Sequence, residues 1–169
     1  MHVSAVTKGV APDIWTAQQQ KICDYSWKID FGRLFEFAGG KEGEIGRAML
    51  YGTRPPPNDT FWAAAKRKGF EVVVYDRNIA GREKKIDTKI ATDITADSYE
   101  LMRPQDGDEI TLIAGDSDYV PTVEKMLRRG LAFHVVFWAH ASRELREVCT
   151  KFVALDSYVD YLNLNRPSG

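Results

Sequence analysis

Cysteine is scarce in this chain. Only Cys23 and Cys149 occur, far apart in sequence and too few for a disulfide framework, which fits a reducing cytosol. Long apolar runs are missing too. No stretch of about twenty apolar residues and no signal-peptide pattern is present, so a soluble, cytoplasmic protein outside the membrane is expected. Neither sign of charge dominates. A net charge of -1 and a pI near 6.3 make no global electrostatic case for nucleic acid, so a polyanion has to bind through a local patch. A glycine-rich phosphate loop is absent, which argues against a doubly wound nucleotide-binding regulator. His134 falls in a strand interior and His140 in an end loop, and neither has the partner spacing of a zinc site.

What is there is ordinary globular composition, 44% hydrophobic and 28% charged over 169 residues, enough for one domain with a proper core. Its most informative stretch is Ile110-Thr111-Leu112-Ile113-Ala114-Gly115-Asp116-Ser117-Asp118-Tyr119, an apolar run that ends in two carboxylates. A short continuous apolar run predicts a buried central strand over 110–114, flanked by helices on both faces. Gly115 then lets the chain turn sharply into an amphipathic helix from Val120 to Leu127. Asp116 and Asp118 fall in the strand-to-helix crevice where open α/β sheets bind ligands. The plainer alternative is that Ser117 or Asp118 caps the helix. One cap needs one side chain, however, and two neighbouring negative charges repel unless a cation or shared proton lies between them.

From the N-terminus, residues 1–26 are the least readable. Ile14 to Ile22 is expected to be helical with Pro12 near its first position, and Trp15 and Trp27 are expected in the core. Phe31, Leu34, Phe35 and Phe37 recur at helical spacing, and Gly39-Gly40 ends that helix. A strand over 46–51 delivers Arg54 into a loop stiffened by Pro55, Pro56 and Pro57. Asp59 is placed to cap a helix over 60–68, Gly69 ends it, and 71–75 reads as the next strand. The alternation implies parallel strands joined by right-handed crossovers.

A polar loop over 76–85 carries Arg77, Arg82, Lys84 and Lys85. Ile86, Ile90, Ala91 and Ile94 then mark the inward stripe of a helix running on toward Tyr99, Leu101 and Met102. At 3.6 residues per turn Asp87 lies beside that stripe, so its carboxylate points toward the protein. An N-cap role for Asp87 is the alternative; Asp93 and Asp97 point elsewhere, and Asp97 is expected to be solvated. Beyond the acidic corner come a helix ending at Arg128-Arg129-Gly130, a strand over 132–138, a helix over 143–150 capped by Ser142, a last strand over 152–156 and a loose tail over 163–169.

Lys84-Lys85-Ile86-Asp87-Thr88-Lys89-Ile90-Ala91-Thr92-Asp93, followed by Leu112-Ile113-Ala114-Gly115-Asp116-Ser117-Asp118-Tyr119-Val120-Pro121, resembles the NYN domain, in its LabA-like branch, within the PIN-like nuclease superfamily. Ser142-Arg143-Glu144-Leu145-Arg146, Cys149, Phe152 and Leu155-Asp156 are similar to that family's closing helix and strand, so the likeness runs from Trp27 to Asp156. It implies a Rossmann-like (PIN-like) α/β/α sandwich with a mainly parallel central sheet over 27–162. It also implies an acidic site, with Asp87, Asp116 and Asp118 as catalytic and metal-binding residues and Asp93 as a further ligand of Mg²⁺ or Mn²⁺. Carboxylates are hard oxygen ligands that hold such ions beside a substrate phosphate. Arg54, Arg82, Lys84 and Lys85, all expected on loops at one end of the sheet, and Ser117 are the expected substrate-binding residues. The expected partner is single-stranded RNA.

Members of that family usually begin with a strand resembling D-x-x-N, and nothing before Trp27 matches it. The expectation is therefore either a natural chain that starts upstream of Met1, or a sheet short of one central member. In the second case another chain, or residues 1–6, fills the gap, and a homo-oligomer or strand exchange follows. Two functions result: a metal-dependent ribonuclease, or an RNA-binding or regulatory module that keeps the fold and lacks the full acidic set.

Overall fold

The computed structural model describes residues 2–40, 44–54, 60–76 and 82–166, excepting the side chains of Arg54, Asp76 and residues 82–84. Three short helices come first, α1 (His2–Thr7), α2 (Ile14–Gln19) and α3 (Phe31–Gly39). Strand β1 (Met49–Arg54), α4 (Thr60–Arg67) and β2 (Glu71–Asp76) follow, then the long α5 (Arg82–Glu100). The remainder alternates as β3 (Glu109–Leu112), α6 (Val120–Arg128), β4 (Ala132–Phe137), α7 (Arg143–Val148) and β5 (Lys151–Ala154). All described strand pairs are parallel, in two sheets ordered β1-β2 and β3-β4-β5. This is the mixed α/β class expected of a PIN-like fold.

Two apolar clusters organise these elements. In the first, Leu50 and Val72 of the two-stranded sheet share a core with Val136 and Val153 of the three-stranded one, packed by Trp27, Phe31, Leu34, Leu155 and Leu162. In the second, Leu112, Phe133 and Val135 meet Tyr119, Val123 and Met126, with Ile90 and Ile94 of α5 laid over them. Of the stripe that the sequence marks, Ile90 and Ile94 pack into this core, while Ala91 lines an open cleft instead. Arg47, just ahead of β1, reaches both Asp97 of α5 (2.7 and 2.9 Å) and Glu71 of β2 (3.1 Å), clamping helix to sheet edge.

Several expectations change. The expected central strand at 110–114 is β3, which pairs only with β4 among the described residues and leaves Ile113 exposed; β4 is the middle strand. Residues 2–7 form a helix, not a gap-filling strand, with Val3, Ser4 and Ala5 buried. Pro12 precedes α2, whose cap is Asp13, and Trp15 is 66% exposed instead of buried, because a six-residue helix covers only one of its faces. Asp97, expected only to be solvated, is an ion-pair partner of Arg47. Helix α5 starts at Arg82, so Arg82, Lys84 and Lys85 sit on its first turn and not on a loop. Helix α5 ends at Glu100, and Tyr99 on its last turn and Leu101 just past it are exposed. Ser142 sits ahead of α7 without capping it through its side chain. The expected loose tail is tied down as far as Arg166: Ile29 bridges Asn163, and the Asn165 side chain donates to the Ser26 carbonyl. The proline loop and Asp59 lie outside the described residues. No described helix is long and apolar enough to cross a membrane.

Candidate active site

The corner after β3 is built from backbone chemistry. Asp116 Oδ1 accepts the Asp118 amide at 3.1 Å, and the Gly115 carbonyl accepts the Ser142 amide at 2.8 Å, which ties the turn to the start of α7. Gly115 has no left-handed φ; a Cβ there would run into the Phe137 ring, so close approach of two strand ends is what requires glycine. The turn leaves Asp116, Ser117 and Asp118 exposed and drives Tyr119 inward to 2% exposure. Asp116 thus performs local capping with one oxygen, while Tyr119 and not Asp118 stands at the α6 cap position, with no side-chain cap bond.

Tyr119 joins the acids. Its hydroxyl donates to Asp87 Oδ1 at 2.6 Å, across 32 residues of sequence. Burial, the Asp87 hydrogen bond and the charges of Asp87, Asp116 and Asp118 together push the phenol well above its ordinary value. All three carboxylates act on this hydroxyl through their charge, and Asp87 is the one hydrogen-bonded to it. Beside them opens a cleft of about 870 Å³ between α5 and the α6 corner, lined by Asp87, Thr88, Ala91, Thr92, Ser117, Asp118 and Thr122.

Asp93 lies elsewhere. Six residues beyond Asp87, it is rotated about 120° around α5. Its Oδ2 accepts from the Tyr51 hydroxyl at 2.6 Å, and its Oδ1 from Lys89 at 2.5 Å. Burial opposes the Asp93 charge, but the Lys89 and Tyr51 hydrogen bonds outweigh it and hold the carboxyl below its ordinary value. Burial, reinforced by the Asp93 bond, drives the Tyr51 phenol upward. Of the expected cations, Lys85 is exposed on α5, while the side chains of Arg54, Arg82 and Lys84 lie outside the described part. Tyr119 and Tyr51 were not singled out from sequence; the tyrosine closing the Gly115–Tyr119 stretch was the available signal for the first.

Among the described residues no three His, Cys, Asp or Glu side chains converge closely enough to hold a metal ion. The donor chemistry nevertheless suits a hard divalent cation: Asp87, Asp116 and Asp118 offer carboxylate oxygens, Asp116 and Asp118 are exposed, and Asp87 and Asp118 line the cleft.

The sequence matches the NYN domain over residues 14–156, most of its length. The chain belongs to the NYN domain family. NYN domains lie within the PIN-like nuclease superfamily, in agreement with the parallel α/β arrangement. The fold of this NYN protein is similar to that of a protein of unknown function from Vibrio parahaemolyticus RIMD 2210633, with a TM-score of 0.63 and 24% identity over 83% of this chain and 85% of that one. That likeness concerns the fold alone. No curated protein matches the sequence.

Proposed function

We propose that this NYN protein is a cytoplasmic, metal-dependent ribonuclease of the LabA-like kind, hydrolysing phosphodiester bonds of single-stranded RNA. The observation that carries the reading is that Asp87, held by the buried Tyr119 hydroxyl, and Asp118 line one open cleft at the β3 corner, with Asp116 two residues from Asp118. Asp87, Asp116 and Asp118 would hold Mg²⁺ or Mn²⁺, with Asp93 a more remote contributor. Bound there, the ion supplies charge neutralisation at the phosphate and a more acidic water. The chain's own contribution is positional. Tyr119 keeps its proton on the hydroxyl oxygen, and by donating it to Asp87 Oδ1 holds that carboxylate in one orientation. Asp116, anchored through Oδ1 to its own turn, has its geometry set by backbone. Ser117, Lys85, Arg54, Arg82 and Lys84 are the proposed contacts to the RNA backbone.

Incubation with labelled single-stranded RNA in Mn²⁺ tests this. Cleavage is expected, stopped by EDTA, and reduced to background by Asp116→Asn, which keeps the Oδ1 acceptor and so the turn. Cleavage that survives EDTA, or is untouched by the substitution, sinks the metal mechanism. A second reading, an RNA-binding module without catalysis, is favoured by the incomplete convergence of the acids; binding without cleavage in the same experiment selects it.

A further inference from the structure

Helix α5 turns three adjacent ridges toward two clefts. Counted at 3.6 residues per turn, Asp87, Ala91 and Thr95 form one, Thr88 and Thr92 the next, Lys85 and Lys89 the third. The first ridge walls the acidic cleft of about 870 Å³ against Ser117, Asp118, Pro121 and Thr122. The third walls a second cleft of about 460 Å³, closed on its other side by Tyr75 at the end of β2. Thr88 and Thr92 line both clefts, so the two flank one exposed ridge of the helix and form the halves of a path across it. One half is walled by two lysines and a tyrosine; the other by Asp87 and Asp118.

We propose that the Tyr75, Lys85 and Lys89 half is a nucleotide-binding subsite for single-stranded RNA. In it a base stacks on Tyr75, a neighbouring phosphate sits by Lys85, and the strand passes over Thr88 and Thr92 into the acidic half. The inference rests on the ribonuclease reading for its direction of travel only. Charge argues for the occupant: a phosphodiester chain needs cations where it is gripped and is repelled by bare carboxylates, so it is held on the lysine side and presented to the acids. An aromatic beside the cations suits a strand whose bases are unpaired and free to stack. Lys89 contributes less than Lys85, because its ammonium is already bound to Asp93. Small and hydroxylated side chains between the halves leave the crossing low enough for a backbone to pass.

Binding of fluorescein-labelled oligouridylate to the full chain in EDTA, across a range of salt, separates stacking from charge. Lys85→Ala is expected to lower the slope of log affinity against log salt by about 0.7, the signature of one lost phosphate contact on a single strand. Tyr75→Ala is expected to weaken binding about tenfold with the slope unchanged, and Tyr75→Phe to restore it, since the ring alone stacks. Lys85 is exposed, so its variant tests the subsite even if Tyr75→Ala fails to fold. An unchanged slope in Lys85→Ala, or full affinity in a folded Tyr75→Ala, overturns the subsite. RNA bound with these dependences but left intact in Mn²⁺ leaves the subsite standing and removes the nuclease. RNA cleaved while both variants bind normally does the reverse.

Discussion

Tyr119 is the residue on which the acidic corner turns. Its hydroxyl donates to the half-buried Asp87 carboxylate, and a hydrogen bond to a charged group contributes about 1.5–3 kcal/mol. Tyr119→Phe is expected to destabilise the protein by that order in urea unfolding at neutral pH, and to lower any RNA cleavage about 10- to 100-fold by releasing Asp87. The same residue governs the alkaline limb. An unfolded tyrosine ionises near pH 10, whereas burial and the surrounding carboxylates raise the folded value. The stability this supplies is complete below about pH 10 and is lost as pH climbs toward the folded value. Tyr51, raised by burial and by Asp93, behaves alike. Stability measured above pH 10 is therefore expected to fall less steeply in Tyr119→Phe than in the wild type; equal slopes would count against this account.

At the scale of elements, the β3-to-α6 connection and α5 do different jobs. The connection is held by contact: Gly115 lies so close to Phe137 of β4 that any side chain must displace the ring. Gly115→Ala is expected to cost about 1–3 kcal/mol, the usual range for overpacking, and to disturb the Ser142 amide bond that fixes the corner. A melting temperature equal to wild type would refute it. Helix α5 is held by its two flanks instead. Ile90 and Ile94 enter the core beneath β3, while Asp93 and Asp97 engage Tyr51 and Arg47 beside β1. Much of this was legible: the isoleucine stripe and the inward Asp87 follow from helical periodicity alone. The roles of Asp93 and Asp97 did not, because a carboxylate reads the same in sequence whether it meets water or a guanidinium.

For the molecule as a whole, one core joins two sheets that share no described strand pairing. The C-terminal segment is part of that joint. Val159 and Leu162 are buried at 2% and 0%, and the Val159 carbonyl accepts the Trp27 indole N–H at 2.9 Å, closing the ends of the chain on each other. Leu162→Ala is expected to cost about 2–5 kcal/mol by chemical denaturation, as a large-to-small change in a closed core. A loss under 1 kcal/mol, by the same measure of cavity cost, would mean this end packs loosely.

The sequence by itself determined the class of fold, the positions of most helices and strands, and the placing of Asp116 and Asp118 where a strand gives way to a helix. Those are local matters: apolar period, caps and glycines act within a few residues. Tertiary structure alone decided that Tyr119 meets Asp87, that β4 and not β3 is the middle strand, that Trp15 stays in solvent, and that Tyr75 faces Lys85 and Lys89 across a groove. Periodicity says which face of an element seeks cover, but the partner that covers it comes from distant chain, and only packing selects it.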